Sequence, residues 1–171
     1  MPRPGGGVPV DSMAASGAGH EDAAATMPDA AADGPAPGKL LVLVVDDEPV
    51  IVEGMSDALL SADVPHLAAG DATSALALLR RHPEIAVVVS DVHMPGLDGL
   101  GLVREAMRGR HEGRDALVAV LISAHFDWER LTDRRQEGIV GVLTKPFSVT
   151  ELLVEVGSAL AEATARRARG S

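Results

Sequence analysis

The chain contains no cysteine, and aromatic side chains make up 2% of its 171 residues. Without cysteine there is no disulfide, no thiolate metal site and no cysteine nucleophile, and the chain is compatible with a reducing compartment. With so few aromatics, any core must be built from Val, Leu, Ile, Ala and Met. Positive charge is also scarce: 15 Lys and Arg stand against 25 Asp and Glu, a net charge of −10. Such a balance argues against nucleic acid and anionic lipid as partners, since both need cationic surface. The one basic cluster, "RRAR" at 166–169, falls where a last helix should end, and cations there complement the helix dipole. Long apolar runs are missing too. The longest are strand-sized, far below the roughly 20 residues that span a bilayer. The opening "MPRPGGGVPV" has no apolar stretch of signal-peptide type. No G-x-x-x-x-G-K-[ST] is present, which excludes a P-loop nucleotide site.

What is present divides into two parts. Residues 1–38 are dominated by Gly, Ala and Pro and show no apolar period. Such a stretch buries too little apolar surface to offset its ordering entropy and reads as a disordered extension. From Lys39 to about residue 167 apolar runs alternate with helical patterns, and a short tail, 168–171, follows. "LLVLVV" (40–45), "VPHLA" (64–68), "IAVVV" (85–89), "ALVAVLI" (116–122) and "IVGVL" (139–143) read as strands. Between them, Ile51, Met55 and Leu59 share a helical face, as do Ala72, Ala75, Leu76 and Leu79 behind the N-cap Asp71. Asp98 caps a third helix with Leu100, Val103 and Met107 inward. "DWERLTDRRQ" (127–136) is a polar, weakly amphipathic helix, and "SVTE" (148–151) is a capping box for a last helix carrying Leu152, Val156 and Leu160.

Five β-α units with strands apolar throughout imply an α/β fold, a five-stranded parallel, doubly wound sheet with helices on both faces. Ligands of such sheets sit at the carboxyl ends of the strands. In the order 2-1-3-4-5, those ends bring together Asp46 and Asp47 (first strand), Asp91 (third), Ser123 (fourth) and Thr144-Lys145-Pro146 (fifth). Three carboxylates in one crevice repel and raise each other's pKa values. A hard divalent cation such as Mg²⁺, bound by oxygen ligands, relieves that repulsion. With an ammonium and a hydroxyl added, the set suits a transferred phosphoryl group, with Asp91 as nucleophile and an aspartyl phosphate as product. Each residue alone has a plainer reading. Asp47 would be a helix N-cap, Ser123 a strand-end hydroxyl, and "TKPF" a turn.

"VVDDEP" (44–49), "SDVHMPGLDG" (90–99), "LISA" (121–124) and "LTKPF" (143–147) together resemble the receiver domain of two-component response regulators, over about 39–167. The resemblance implies a flavodoxin-like sheet. It also implies that Asp91 is the phosphoacceptor, taking its group from a sensor histidine kinase or a histidine phosphotransfer protein. Mg²⁺ would be held by Asp46, Asp47, Asp91 and the backbone carbonyl of His93. Ser123 would bond a phosphoryl oxygen, and Lys145 would pair with the carboxylate and then the phosphoryl group, beside a cis Lys145–Pro146 bond. Its setting would be the cytoplasm, and its chemistry self-phosphorylation and self-dephosphorylation rather than enzymatic turnover.

One position departs from the family. Val142 stands where many receivers carry an aromatic switch residue, so output is expected through another surface, one involving Phe126 or Trp128. His93 and His125 each lie two residues beyond a pocket residue. They read either as solvated loop histidines or as groups steering a hydrolytic water. The chain ends soon after the last helix, so the expectation is a stand-alone receiver that acts by binding an unknown downstream protein or by relaying the phosphoryl group. Two alternatives remain at this point. One is a Mg²⁺-dependent phosphohydrolase, for which His93 occupies the place of a needed second acid. The other is an unphosphorylated docking module, for which keeping Asp46, Asp47, Asp91, Ser123 and Lys145 has no reason.

Overall fold

Alternating side chains on a strand that is buried on both faces must find apolar partners in two layers. In the computed structural model, which describes residues 39–108, 116–124 and 138–170, Leu41, Leu43 and Val45 enter one core and Val42 and Val44 the other. The same division runs along the fourth strand, with Ala119 and Leu121 on one side and Val118, Val120 and Ile122 on the other. The elements are β1 (Leu41–Val45), α1 (Pro49–Ser61), β2 (His66–Ala69), α2 (Ala72–Arg81), β3 (Ile85–Asp91), α3 (Gly99–Arg108), β4 (Val118–Ser123), β5 (Ile139–Thr144) and α4 (Val149–Gly170). The expected extension over 1–38 and the expected helix over 127–136 lie outside the described residues, as do Phe126, Trp128 and His125.

All neighbouring strands pair in parallel, in the order β2-β1-β3-β4-β5. The chain steps from β1 to β2 in one direction and then crosses back past β1 to β3 and β4. Right-handed crossovers in opposite directions place their helices on opposite faces. Accordingly α1 and α4 cover one core, with Val52, Met55, Leu59, Leu152, Val156, Ala159 and Ala163. Helices α2 and α3 cover the other, with Ala72, Ala75, Leu79, Leu100, Leu102, Val103 and Ala106. The reversal leaves a switch point between β1 and β3, where their carboxyl ends diverge into a crevice.

The helix starts follow local chemistry. Asp71 Oδ1 accepts from the Ser74 backbone N–H at 2.8 Å, and Asp98 Oδ1 from Gly101 at 2.7 Å. Ser148 and Glu151 satisfy each other's amides, at 2.7 and 3.2 Å, as a reciprocal capping box. The start of α1 differs from the single-residue reading of Asp47. Its N-cap is Glu48, Pro49 takes the first turn, and Asp47 remains exposed one position earlier. Proline at the first helical position sets that boundary, because its missing N–H is an orphan there in any case.

Candidate functional site

The strand ladders set the level of every polar group at the carboxyl end of the sheet. Val45 pairs with Ser90, Asp91 with Ile122, and Ser123 with Thr144. Asp46 therefore leaves β1 beside Asp91, the last residue of β3, while Ser123 ends β4 and Lys145 follows β5. The tops of β3, β4 and β5 are tied by backbone: the Lys145 N–H donates to the Ser123 carbonyl at 2.9 Å, and the Val92 N–H to the Ile122 carbonyl at 2.8 Å. The Lys145–Pro146 peptide is cis.

Into this rim Lys145 extends its ammonium, with Nζ 3.0 Å from Asp46 Oδ2, 3.3 Å from Asp91 Oδ1 and 3.8 Å from Glu48 Oε1. Asp46 is wholly buried, and its other oxygen accepts the Glu48 backbone N–H at 2.9 Å. Asp91 is 4% exposed, and its Oδ2 accepts the His93 backbone N–H at 3.0 Å. Asp47 faces solvent, yet one oxygen of each of Asp46, Asp47 and Asp91 can lie within 4.8 Å of the others. Burial pushes the Asp91 carboxyl above its usual range; Lys145 pulls the other way, and the charge of Asp46 adds to the rise. Burial also works against the Lys145 ammonium, but Asp46 and then Asp91 outweigh it and hold its pKa above the usual lysine value. One ammonium thus leaves the buried acids incompletely neutralised. An all-oxygen cluster of that kind fits a hard divalent cation, with Asp46, Asp47 and Asp91 as its carboxylate donors.

Behind Asp91 the start of α3 comes unusually close. Gly99 N–H donates to the Val92 carbonyl at 3.1 Å, and a Cβ at Gly99 would strike the Asp91 carbonyl oxygen. Ser90 Oγ donates to that same oxygen at 3.0 Å. The glycine after Asp98 is therefore a requirement of close approach, and it fixes the backbone that aims the Asp91 side chain.

The structure brings Asp46, Asp47, Asp91, Ser123 and Lys145 together as the strand-end argument expects. Ser123 is buried at the top of β4. His93 is exposed and joins the site through its backbone. Val142 is half-buried and packs into the α2–α3 core, and Phe147 into the α1–α4 core. His66 and His82 bond locally, to the Val64 carbonyl and the Glu84 carboxylate. A cavity of about 500 Å³ flanked by Ile139, Glu155, Glu162 and Arg166 begins at the opposite end of β5 and shares no residue with the site. Two contributors escaped the sequence reading, Glu48 and Gly99. Both stand inside quoted motifs, but their partners are set by the fold.

The response regulator receiver domain model matches residues 42–157. The chain belongs to that family. Among curated relatives, the receiver is 36% identical over 115 residues to the response regulator protein FleR of Pseudomonas aeruginosa, covering 66% of this chain and 23% of FleR. It is 37% identical over 120 residues to the probable transcriptional regulatory protein TcrX of Mycobacterium tuberculosis, covering 70% of this chain and 49% of TcrX. Among solved structures, the chemotaxis protein CheY4 of Vibrio cholerae superposes with a TM-score of 0.62 at 26% identity, over 71% of this chain and 98% of CheY4. The chain thus spans less than half the length of the two curated relatives, while the solved chemotaxis protein is matched almost end to end. Among the described residues, no helix of the receiver is long and apolar enough to cross a membrane.

Proposed function

We propose that Asp91 accepts a phosphoryl group in a Mg²⁺-dependent reaction from a phosphohistidine on a sensor kinase or phosphotransfer protein. The observation that carries this reading is the position of Asp91, buried at the strand end, with Lys145 Nζ at 3.3 Å and the Asp46 and Asp47 carboxylates beside it. In the step, an Asp91 carboxylate oxygen forms a bond to phosphorus while the phosphorus–nitrogen bond of the donor breaks. The bonding pair leaves on the imidazole nitrogen, and the product is a mixed carboxylic–phosphoric anhydride. Lys145 shifts its ammonium from the Asp91 oxygen toward a phosphoryl oxygen, and it stays protonated because Asp46 continues to hold it. The Ser123 hydroxyl donates to a second phosphoryl oxygen. Asp46, Asp47, Asp91 and the His93 carbonyl would hold the cation, and Mg²⁺ bound there would supply positive charge against the phosphoryl oxygens.

The receiver's chemistry is then limited to taking up the group and hydrolysing it, without turnover of a separate substrate, in the cytoplasm. Its output is binding to a downstream protein or passage of the phosphoryl group to a further histidine, in either case by biasing a two-state element. The acidic balance of the chain favours protein partners over nucleic acid. Incubation with acetyl phosphate and Mg²⁺ should add one base-labile phosphoryl mass to the intact protein, and EDTA should abolish the addition. Persistence of the same adduct in EDTA would contradict the cation-assisted reading.

A further inference from the structure

Glu48 carries a side chain that the fold does not use. It is the N-cap residue of α1, with φ −91° and ψ 108°, yet it makes no side-chain capping bond. Ser, Thr, Asp and Asn are preferred at such positions because a short side chain reaches back to the first-turn amides. Here the backbone N–H of Glu48 is held by Asp46 Oδ1 at 2.9 Å. Its carboxylate instead faces Lys145, with Oε1 3.8 Å from Nζ and its side chain 62% exposed. That separation is too long for a hydrogen bond, and so exposed an ion pair contributes little to stability. The rim nevertheless carries a fourth carboxylate, beyond Asp46, Asp47 and Asp91, against one ammonium.

A phosphoryl donor approaching this rim is an anion, and it must draw Lys145 away from Asp91. We propose that Glu48 is a positioning residue that selects donors by charge. Its carboxylate disfavours small, doubly anionic phosphoryl compounds. The inference rests on the phosphoryl-acceptor reading of Asp91. A unit charge at a water-exposed rim changes the encounter with a singly charged ligand by about two- to fivefold, and more for a dianion.

The test compares acetyl phosphate with phosphoramidate, which carries one net negative charge fewer at neutral pH, on wild type, Glu48→Gln and Glu48→Asp at saturating Mg²⁺. Glu48→Gln should raise the acetyl phosphate rate more than the phosphoramidate rate, shifting their ratio about two- to fivefold. Mg²⁺ binding, read by calorimetry, should weaken by a similar factor. A variant that was merely damaged would lose both. Glu48→Asp keeps the charge and should keep the wild-type ratio. An unchanged ratio in Glu48→Gln, with wild type still labelled on Asp91, overturns the role of Glu48 and leaves the acceptor reading intact. Absence of any Asp91-dependent label on wild type from either donor overturns both.

Discussion

Asp91 and Asp46 are adjacent carboxylates buried to nearly the same degree, yet they are held differently. Asp46 has a close ammonium and a backbone amide on its two oxygens, at 3.0 and 2.9 Å. Asp91 has the same ammonium at 3.3 Å and the His93 amide, and its pKa lies above the usual value because burial outweighs them. A carboxyl whose pKa is raised on folding favours the fold fully below its unfolded pKa, and that contribution is lost as pH rises through the folded pKa. At neutral pH the ionised Asp91 therefore works against the fold. Asp91→Asn should raise the thermal midpoint at pH 7. Thermal melts across pH check this: the gain should shrink toward the ordinary carboxylate range, near 3.8, and a gain independent of pH would point to another cause. At this scale the sequence reveals much. Asp46 and Ser123 directly follow apolar runs, and Asp91 and Lys145 lie two residues beyond theirs, so their placement follows closely from strand length. Glu48 does not, because its contact with Lys145 exists only once β1 and β5 share a sheet.

Among the elements, the strands are legible to within two residues at every end; hydropathy begins β2 and β4 two residues early, at Val64 and Ala116, and stops β3 and β4 too soon. Hydropathy ends β3 at Val89 and β4 at Ile122, whereas the ladders continue through Asp91 and Ser123. Backbone pairing does not register a change in side-chain polarity. The helix faces differ in a similar way. Ile51, Met107 and Leu160 are half-buried, while Val52, Leu102, Ala106, Ala159 and Ala163 are buried. Alanines in those stripes let α3 and α4 approach the sheet closely, and a search for large apolar side chains passes over them. The same close approach makes Gly99 the least replaceable residue at a helix start. Gly99→Ala should cost about 2 kcal/mol in urea denaturation, because the methyl group meets backbone that cannot move without displacing Asp91. Gly54→Ala, in open space on α1, should instead gain about 0.5–1 kcal/mol from helix propensity. Equal effects at both positions would remove the argument for a forced contact behind Asp91.

For the whole molecule, one reversal of winding direction explains why the site exists where it does. Because β1 lies between β2 and β3, the carboxyl ends of β1 and β3 open a crevice, and every further strand added beyond β3 contributes its own last residues to the same rim. The alternation of apolar runs with helical patterns is enough to predict the layers, and the strand order then follows the family pattern that the motifs resemble. What the sequence pattern does not carry at this scale is the route by which a change at Ser123 and Lys145 leaves the site. Val142 is packed among aliphatic side chains of the α2–α3 core, so no aromatic side chain stands at that place to rotate. The first event is the bond formed at Asp91. Its most direct measurement is borohydride reduction of the protein after treatment with acetyl phosphate and Mg²⁺, followed by peptide mass mapping. Reduction of an aspartyl phosphate converts that aspartate to homoserine. Homoserine is expected at position 91 and at no other acid; reduction at Asp46, Asp47 or Asp98 in its place would contradict phosphoryl acceptance by Asp91.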